Sequence, residues 1–270
     1  MSAHLLRTLS GSFLMILWLG NSPASSQAAA PKIPRMAGGK PDFNGIWESF
    51  STANWDLQDH SAYAGPMWQM GAIAAVPAGQ GVVEGGSIPY LPAAAEKRKQ
   101  NFANRRTADP EAKCYLPGIP RAAYMPYPFQ IVESNQDILF IYQYATASRQ
   151  VNMGKAREVG ADSWMGMSNG HWEGDTLVVD VTGLNGKAWL DRAGDFSSDG
   201  LHVVERYTLT DRDHIAYEAT LEDPKTFTRP WKIHLTLYRR VEKGFTLLEF
   251  KCIPFAEELL YGEFSKQTRK

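Results

Sequence analysis

The chain predicts a mainly β fold, an antiparallel meander closing into a β-barrel, with one or two short helices. Two observations predict it. Gly170-His171-Trp172-Glu173-Gly174-Asp175-Thr176-Leu177-Val178-Val179-Asp180-Val181 reads as a β-hairpin, because Gly174 can take a positive φ at a short turn and 176–181 is rich in β-branched residues. Around it, strand-like runs recur at near-regular intervals, each closed by its own polar turn.

With 270 residues and 44% hydrophobic content the chain can bury one sizeable core, and no obvious linker divides it. Net charge is −1 and the basic residues are scattered, which argues against nucleic acid as a partner. Residues 1–30 read as a cleavable signal peptide. Arg7 supplies the positive charge, Phe13 to Leu19 is an apolar run too short to span a bilayer, and Ala28 to Ala30 offer a small-residue cleavage point. An uncleaved membrane anchor is the weaker reading, so the expectation is a periplasmic or secreted protein with no stable membrane span. Cys114 and Cys252 are the two cysteines, and in an oxidising compartment the default is a disulfide, with two separate buried thiols as the alternative. There is no C-x-x-C, hence no zinc or redox reading.

In chain order, 31–41 carries Pro31, Pro34, Gly38, Gly39 and Pro41 and reads as an extended linker, with a single domain over 42–270. Asp42 to Glu48 gives a turn and a first strand bearing Trp47; Gly45-Ile46-Trp47 is a Gly-x-Trp opening of lipocalin-like kind, in which the indole plugs the closed end of a barrel. The long stretch 51–92 is rich in Gly, Ala and Pro yet holds Trp55, Tyr63, Trp68 and Tyr90, so it reads as a loop packed over the sheet, a lid, or a partly disordered insertion. A helix is expected over 93–104, behind Pro92, with its charge run on a solvated face. The five prolines between Asp109 and Phe129 exclude a helix and predict a rigid wall holding Arg121 and Tyr124 in place. Strands are expected at Phe129–Glu133, Ile138–Tyr144, Arg149–Met153, Leu201–Thr208, His214–Leu221, Trp231–Arg239 and Phe245–Cys252, then a short helix near Phe255–Phe264 and a frayed basic end.

The chain resembles a largely uncharacterised family of exported bacterial proteins of lipocalin-like appearance. The matching motifs are Asp42-Phe43-Asn44-Gly45-Ile46-Trp47, Cys114 with Pro117-Gly118-Ile119-Pro120-Arg121, Pro126-Tyr127-Pro128-Phe129, the Gly170 to Asp180 hairpin, Trp189-Leu190-Asp191, Glu205-Arg206-Tyr207, Asp223-Pro224 and Pro230-Trp231. The resemblance implies a lipocalin-like barrel but names no activity. Family members often carry histidines after Trp-Leu-Asp; this chain has Gly194-Asp195-Phe196-Ser197-Ser198-Asp199 there, so no metal site is carried over.

Alternation picks out candidate chemistry. In 201–207 one face collects Leu201, Val203, Glu205 and Tyr207, so Glu205 becomes a carboxylate among apolar residues if that face points inward. It is then either a general acid or base with a raised pKa, or one half of a buried pair with Arg121 or Arg149. Asp191 follows Trp189-Leu190 on a loop at a strand end, where a catalytic carboxylate and a turn-forming one look alike. His171 beside Trp172 reads as a rim residue or a surface one. Ser-His-Asp order, H-E-x-x-H, G-x-S-x-G, a P-loop and a dinucleotide fingerprint are all missing, which removes the common nucleotide-dependent and zinc-peptidase readings.

Two functions follow. One is an exported, cofactor-independent acid/base enzyme (lyase, isomerase, hydratase or hydrolase) acting on an apolar or aromatic small molecule. Glu205, Asp191 and Tyr124 would be its catalytic groups, with Arg121, Arg149, His171, Trp172 and Tyr142 binding substrate. The other is a non-enzymatic carrier of such a molecule, which needs the cavity and little else. Polar machinery in Glu205, Asp191, Arg121 and Tyr124 tilts the expectation toward the enzyme. The sequence fixes no oligomeric state.

Overall fold

A computed structural model describes residues 32–266, apart from 66, 135 and 136. The expected signal peptide and the frayed end 267–270 lie outside the described residues. Nine strands close into one barrel in sequence order: β1 (Gly45–Ser49), β2 (Phe129–Glu133), β3 (Asp137–Tyr142), β4 (Ser148–Asn152), β5 (Met167–Glu173), β6 (Thr176–Thr182), β7 (His202–Leu209), β8 (His214–Glu222) and β9 (Trp231–Arg239). The predicted fold class holds: this is a mainly β, lipocalin-like barrel. Alternation sets its inside. Val203, Glu205, Tyr207 and Leu209 of β7 are buried, as are Ile215, Tyr217, Ala219 and Leu221 of β8, while their neighbours in sequence are not. The central hairpin is as expected, with Gly174 at φ +61 in the turn between β5 and β6.

All neighbouring strands pair antiparallel except β4 and β5, which run parallel at Val151↔Ser168 and Asn152↔Asn169. A parallel step needs a crossover, and the loop between these strands supplies it. The Asn169 side chain fixes that loop, accepting from the Arg157 amide at 2.8 Å and donating to the Arg157 carbonyl at 3.0 Å. The Trp47 indole is fully buried in the barrel end, donates to the Phe43 carbonyl at 2.8 Å, and carries the Arg239 guanidinium 4.2 Å from its ring centroid.

Two expectations need correcting and two are refined. Phe245–Cys252 forms no strand. By then β9 has closed on β1 through Trp47↔Arg239, Glu48↔Tyr238 and Ser49↔Leu237, so no free edge remains to pair with. The segment runs instead as an irregular strap, its Phe250 ring packed on Tyr127 and Tyr144. The helix expected at 93–104 extends over Pro92–Ala108 (α1), and its face is not all solvated, since Ala94 and Asn101 are buried. Nor is 32–41 a free linker: Arg35 pairs with Asp175 at the hairpin turn, Lys40 lies over the Trp172 ring, and Ile33 packs on the core. Of the readings of 51–92, the structure contains the loop packed over the sheet, which forms a cover. It buries Asn54, Asp56, Leu57, Met67, Val76, Val83 and Ile88, and forms a small hairpin through His60↔Gly79 and Tyr63↔Val76, followed by a 3-10 stretch at Trp68–Ala74 folded within it.

The C-terminal helix α2 (Ala256–Ser265) follows the strap. Cys114 and Cys252 are joined, with Cα atoms 5.7 Å apart, so the strap is tied to the 3-10 turn at Glu111–Lys113 across 138 residues of chain. Closing so long a loop restricts the unfolded chain by on the order of 5 kcal/mol in the chain-entropy model. Replacing both cysteines with serine is expected to lower stability by about 2–5 kcal/mol in urea unfolding. An unchanged midpoint would show that the strap is held by packing alone.

Candidate functional site

The sequence-predicted residues fall into three separate places. The first is the barrel interior. Glu205 has no surface that a water-sized probe can touch, and Arg149 is 4% exposed. The Glu205 carboxylate accepts from the Tyr207 and Tyr217 hydroxyls, each at 2.8 Å, and pairs through its other oxygen with Arg149 Nη2. Arg149 Nε donates to Ser168 Oγ at 2.7 Å. Tyr142 lies in the field of the same guanidinium; burial pushes its hydroxyl up to about 12 against the opposing pull of Arg149. Burial, then the Glu205 charge, push Tyr207 and Tyr217 well above the usual phenol range. Every Glu205 oxygen is committed, so of its two readings the structure contains the buried Glu–Arg pair.

The second place lies outside the barrel, where loop 189–196 meets the cover and α1. Asp191 is fully buried. Its Oδ2 accepts the Leu57 amide at 2.9 Å and its Oδ1 the Asp195 amide at 3.0 Å, so it holds its own turn shut and ties that turn to the cover. Asp195 Oδ1 accepts from Tyr90 Oη at 2.9 Å and Arg98 Nε at 3.3 Å, while Arg98 Nη2 reaches Asp56 at 3.4 Å. One carboxylate oxygen from each of Asp56, Asp191 and Asp195 falls within 4.8 Å of the others. Burial, and then Asp195, push the Asp191 carboxyl well above its ordinary range, so the group can carry a proton where a surface aspartate would not. Burial also raises Asp56, in part against Arg98. The helix comes close here because residue 194 is glycine, at φ +88; a Cβ would lie 2.8 Å from Asn101 Cβ. Tyr124 belongs to this region, but its hydroxyl donates to the Leu190 carbonyl at 2.8 Å and so is not free to stabilise an oxyanion.

Arg121, expected to anchor substrate, is 1% exposed and fully engaged. Nε donates to Asn54 Oδ1 at 2.8 Å, Nη2 to Glu111 Oε2 at 2.6 Å, and Nη1 lies 3.4 Å from Asp109 Oδ1. Glu111 also takes a two-pronged pair from Arg192 at 2.5 and 2.8 Å. Burial alone would raise Glu111, but Arg192 and then Arg121 hold it down at about 2. His171 and Trp172 form the third place, at the β5–β6 hairpin: His171 is exposed beside Glu173, while Trp172, on the opposite face of the strand, is half-buried and stacks on Phe43 of the core. These two do not meet the other candidates.

A cavity of about 540 Å³ opens instead between the cover, the end of α1, the strap and α2. Trp55, Tyr63, Met67 and Val76 line it on one side and Phe250 and Tyr261 on another, with Glu111 and Arg192 at its floor. None of the residues singled out from the sequence for catalysis or substrate binding lines it. Arg105 does, and the signal for it was present. Arg98, Phe102 and Arg105 are spaced i, i+4, i+7 on one face of α1, and the Phe102 ring lies 5.6 Å from one guanidinium and 4.0 Å from the other.

Two substitutions separate structural from catalytic roles. Glu205→Gln is expected to cost about 3–5 kcal/mol in urea unfolding, because it leaves the Arg149 charge buried without a counter-ion. A cost under about 0.5 kcal/mol would mean that the carboxylate is not committed to this pair. For Asp191 the folded pKa is raised, so the native state holds the proton more tightly than the unfolded chain. Its contribution is complete below the ordinary carboxylate range and is lost as pH rises toward the folded value. Asp191→Asn mimics the protonated form, and its stability is expected to fall less than wild type between pH 4.5 and 7.5. Parallel curves would contradict the assignment.

No family model, curated protein or solved structure matches the chain.

Proposed function

We propose that this chain is an exported binding protein that holds an apolar or aromatic small molecule in the cleft outside its barrel. One observation carries the reading. The open cavity of about 540 Å³ has aromatic and methionine walls, while three of the four carboxylates that line it, Asp109, Glu111 and Glu258, are engaged by arginines and the fourth, Glu257, is exposed on α2. Its volume lies within the roughly 300–1,000 Å³ range of small-molecule pockets. A general base needs a carboxylate free to take a proton near neutrality, and Glu111, held at about 2 by two arginines, is the opposite. Glu205, the strongest catalytic candidate in the sequence, has no surface for a substrate to touch. The carrier reading is therefore favoured over the acid/base enzyme.

Export is part of the same proposal. The leader-like 1–30 and the bonded pair Cys114–Cys252 support it, and among the described residues no helix is long and apolar enough to cross a membrane. Lipocalin-like membership rests on the motifs and the barrel together.

The test is calorimetric titration of the purified protein with a panel of phenolic and terpenoid compounds, with each bound compound recovered and weighed by mass spectrometry. At about −0.3 kcal/mol per heavy atom, a ligand of about 20 atoms should bind in the tens of micromolar and be recovered unchanged. Ala256→Trp, which fills the cleft from α2, is expected to weaken binding at least tenfold without moving the thermal transition. Turnover of a panel compound, or binding indifferent to Ala256→Trp, would overturn the reading.

A further inference from the structure

We infer that the cleft selects an anionic amphiphile, a carboxylate on an apolar tail, and that Arg105 on α1 receives the carboxylate. This rests on the cleft being a binding site. Of the charges that line the cleft, two have no ion-pair partner among the described residues: the half-buried Arg105 on α1 and the exposed Glu257 on α2. Arg106 pairs with Glu258 at 3.0 Å, Arg192 with Glu111, and Lys251 with Glu249 at 3.4 Å. Arg105 has no carboxylate partner among the described residues. Its Nη1 donates to the Phe102 carbonyl at 2.8 Å and its guanidinium carbon lies 4.0 Å from the Phe102 ring centroid. Both contacts fix the side chain and neither neutralises it, and the Nε–Nη2 edge is left for a ligand. A planar carboxylate matches that edge with two parallel hydrogen bonds, whereas a neutral hydroxyl matches half of it.

The surroundings agree with the charge. Arg105 is half-buried, and burial pulls its guanidinium below the usual arginine range, with the Tyr63 phenol the titratable group beside it. An unpaired cation held partly out of water is stabilised by any anion that reaches it. Tyr63 lines the cavity beside it, its ring 6.0 Å from Phe102, and its hydroxyl donates to no side chain or backbone group among the described residues. It is a second donor for the same headgroup. The remainder of the wall, Met67, Met70, Ile73 and Val76 from the cover with Phe250 and Phe255 from the strap, has nothing to offer an anion and suits a hydrocarbon tail. The flexible Met67 and Met70 side chains adapt to tails of differing shape, so selection falls on the headgroup more than on the chain.

The experiment compares dodecanoate with 1-dodecanol, below their aggregation thresholds, by calorimetry on wild type, Arg105→Gln and Arg105→Lys. Wild type is expected to prefer the acid by about ten- to a hundredfold, the range of a charge-assisted hydrogen-bonded pair. In Arg105→Gln the ratio of acid to alcohol affinity should collapse to near one, and in Arg105→Lys an intermediate ratio should survive. Circular dichroism and thermal unfolding check that each variant is folded, and the wild-type ratio decides the matter even where a variant is not. Equal wild-type affinity for the two compounds, with both lost in Ala256→Trp, would overturn the anion while leaving the cleft as a site. An acid preference unchanged in folded Arg105→Gln would overturn the role of Arg105. Binding of neither compound would overturn the inference, and the cleft reading then stands or falls on the phenolic and terpenoid panel.

Discussion

Everything outside the barrel hangs on one buried guanidinium. Arg121 sits in the proline-rich stretch between α1 and β2 and binds Asn54 of the cover and Asp109 and Glu111 from the end of α1, with the Trp189 carbonyl 3.5 Å away. Those contacts belong to three chain segments far apart in sequence, none of which is part of the sheet. A charge in that position is tolerable only with its counter-ions in place: two carboxylates face two cations, Arg121 and Arg192, and the cluster is balanced. Losing one partner would strand the others, so the segments are held as a set. The cleft is the space this set leaves between itself and the C-terminal strap. Its floor, Glu111 and Arg192, is the outer edge of the same network, and the Arg192 guanidinium lies 4.4 Å from the Trp55 ring that forms its wall.

The barrel was legible in the residues because alternation is a local signal. Period two in 201–207 and 214–221 identifies the inward face without knowing what it meets. That places Glu205 inside, and the structure then selects between two partners that alternation cannot rank, Arg149 and Arg121. Arg149 is on β4, inside the same barrel; Arg121 is outside it. What failed were readings that needed knowledge of closure or of loop packing. Phe245–Cys252 has the composition of a strand, but a strand requires an edge, and whether β9 meets β1 is not a local property. Arg121 and Tyr124 were correctly seen as rigidly held, yet rigidity serves burial as well as it serves a ligand. The cleft was invisible because its walls come from segments with no periodicity, Gly- and Pro-rich in the cover and irregular in the strap. Its one polar clue, the Arg98-Phe102-Arg105 spacing, lies in a charge run that composition alone assigns to solvent.

Two carboxylates show how differently the same burial is resolved. Asp191 and Glu111 are both withdrawn from water. Burial and the neighbouring Asp195 drive Asp191 toward its neutral form, against the Leu57 amide that favours its charge; Glu111 meets two guanidinium groups and stays ionised to about 2. In many active sites such a divergence separates a general acid from a base. Here each group is bonded to the chain itself, Asp191 to the Leu57 and Asp195 amides and Glu111 to arginines. The divergence therefore acts on stability, and with opposite sign in pH. The Asp191 contribution fades as pH rises through its raised value, while that of Glu111, complete above its unfolded range, fades as pH falls toward 2. The docking of the cover is thus most secure in mildly acidic solution, near the ordinary carboxylate range, and weakens toward neutrality as Asp191 is forced to ionise.

A barrel of this size commonly offers its interior to a ligand; among the described residues this interior is filled with packed rings and buried charges. The inward faces carry Phe129, Phe140, Tyr142, Tyr207 and Tyr217, ring against ring at 5.0–6.3 Å, around an ion pair whose oxygens are all taken. Opening that centre for a ligand would mean unpairing two buried charges, a cost of several kcal/mol that an apolar guest has no means to offset. The loops outside have no such obstacle. The strap could not join the closed sheet, so it crosses outside, where Cys252 fastens it to Cys114 and Phe250 packs on Tyr127 and Tyr144. A strap held by one crosslink and a few rings leaves space beneath it, and the fold places Arg105, which has no carboxylate partner among the described residues, at that space.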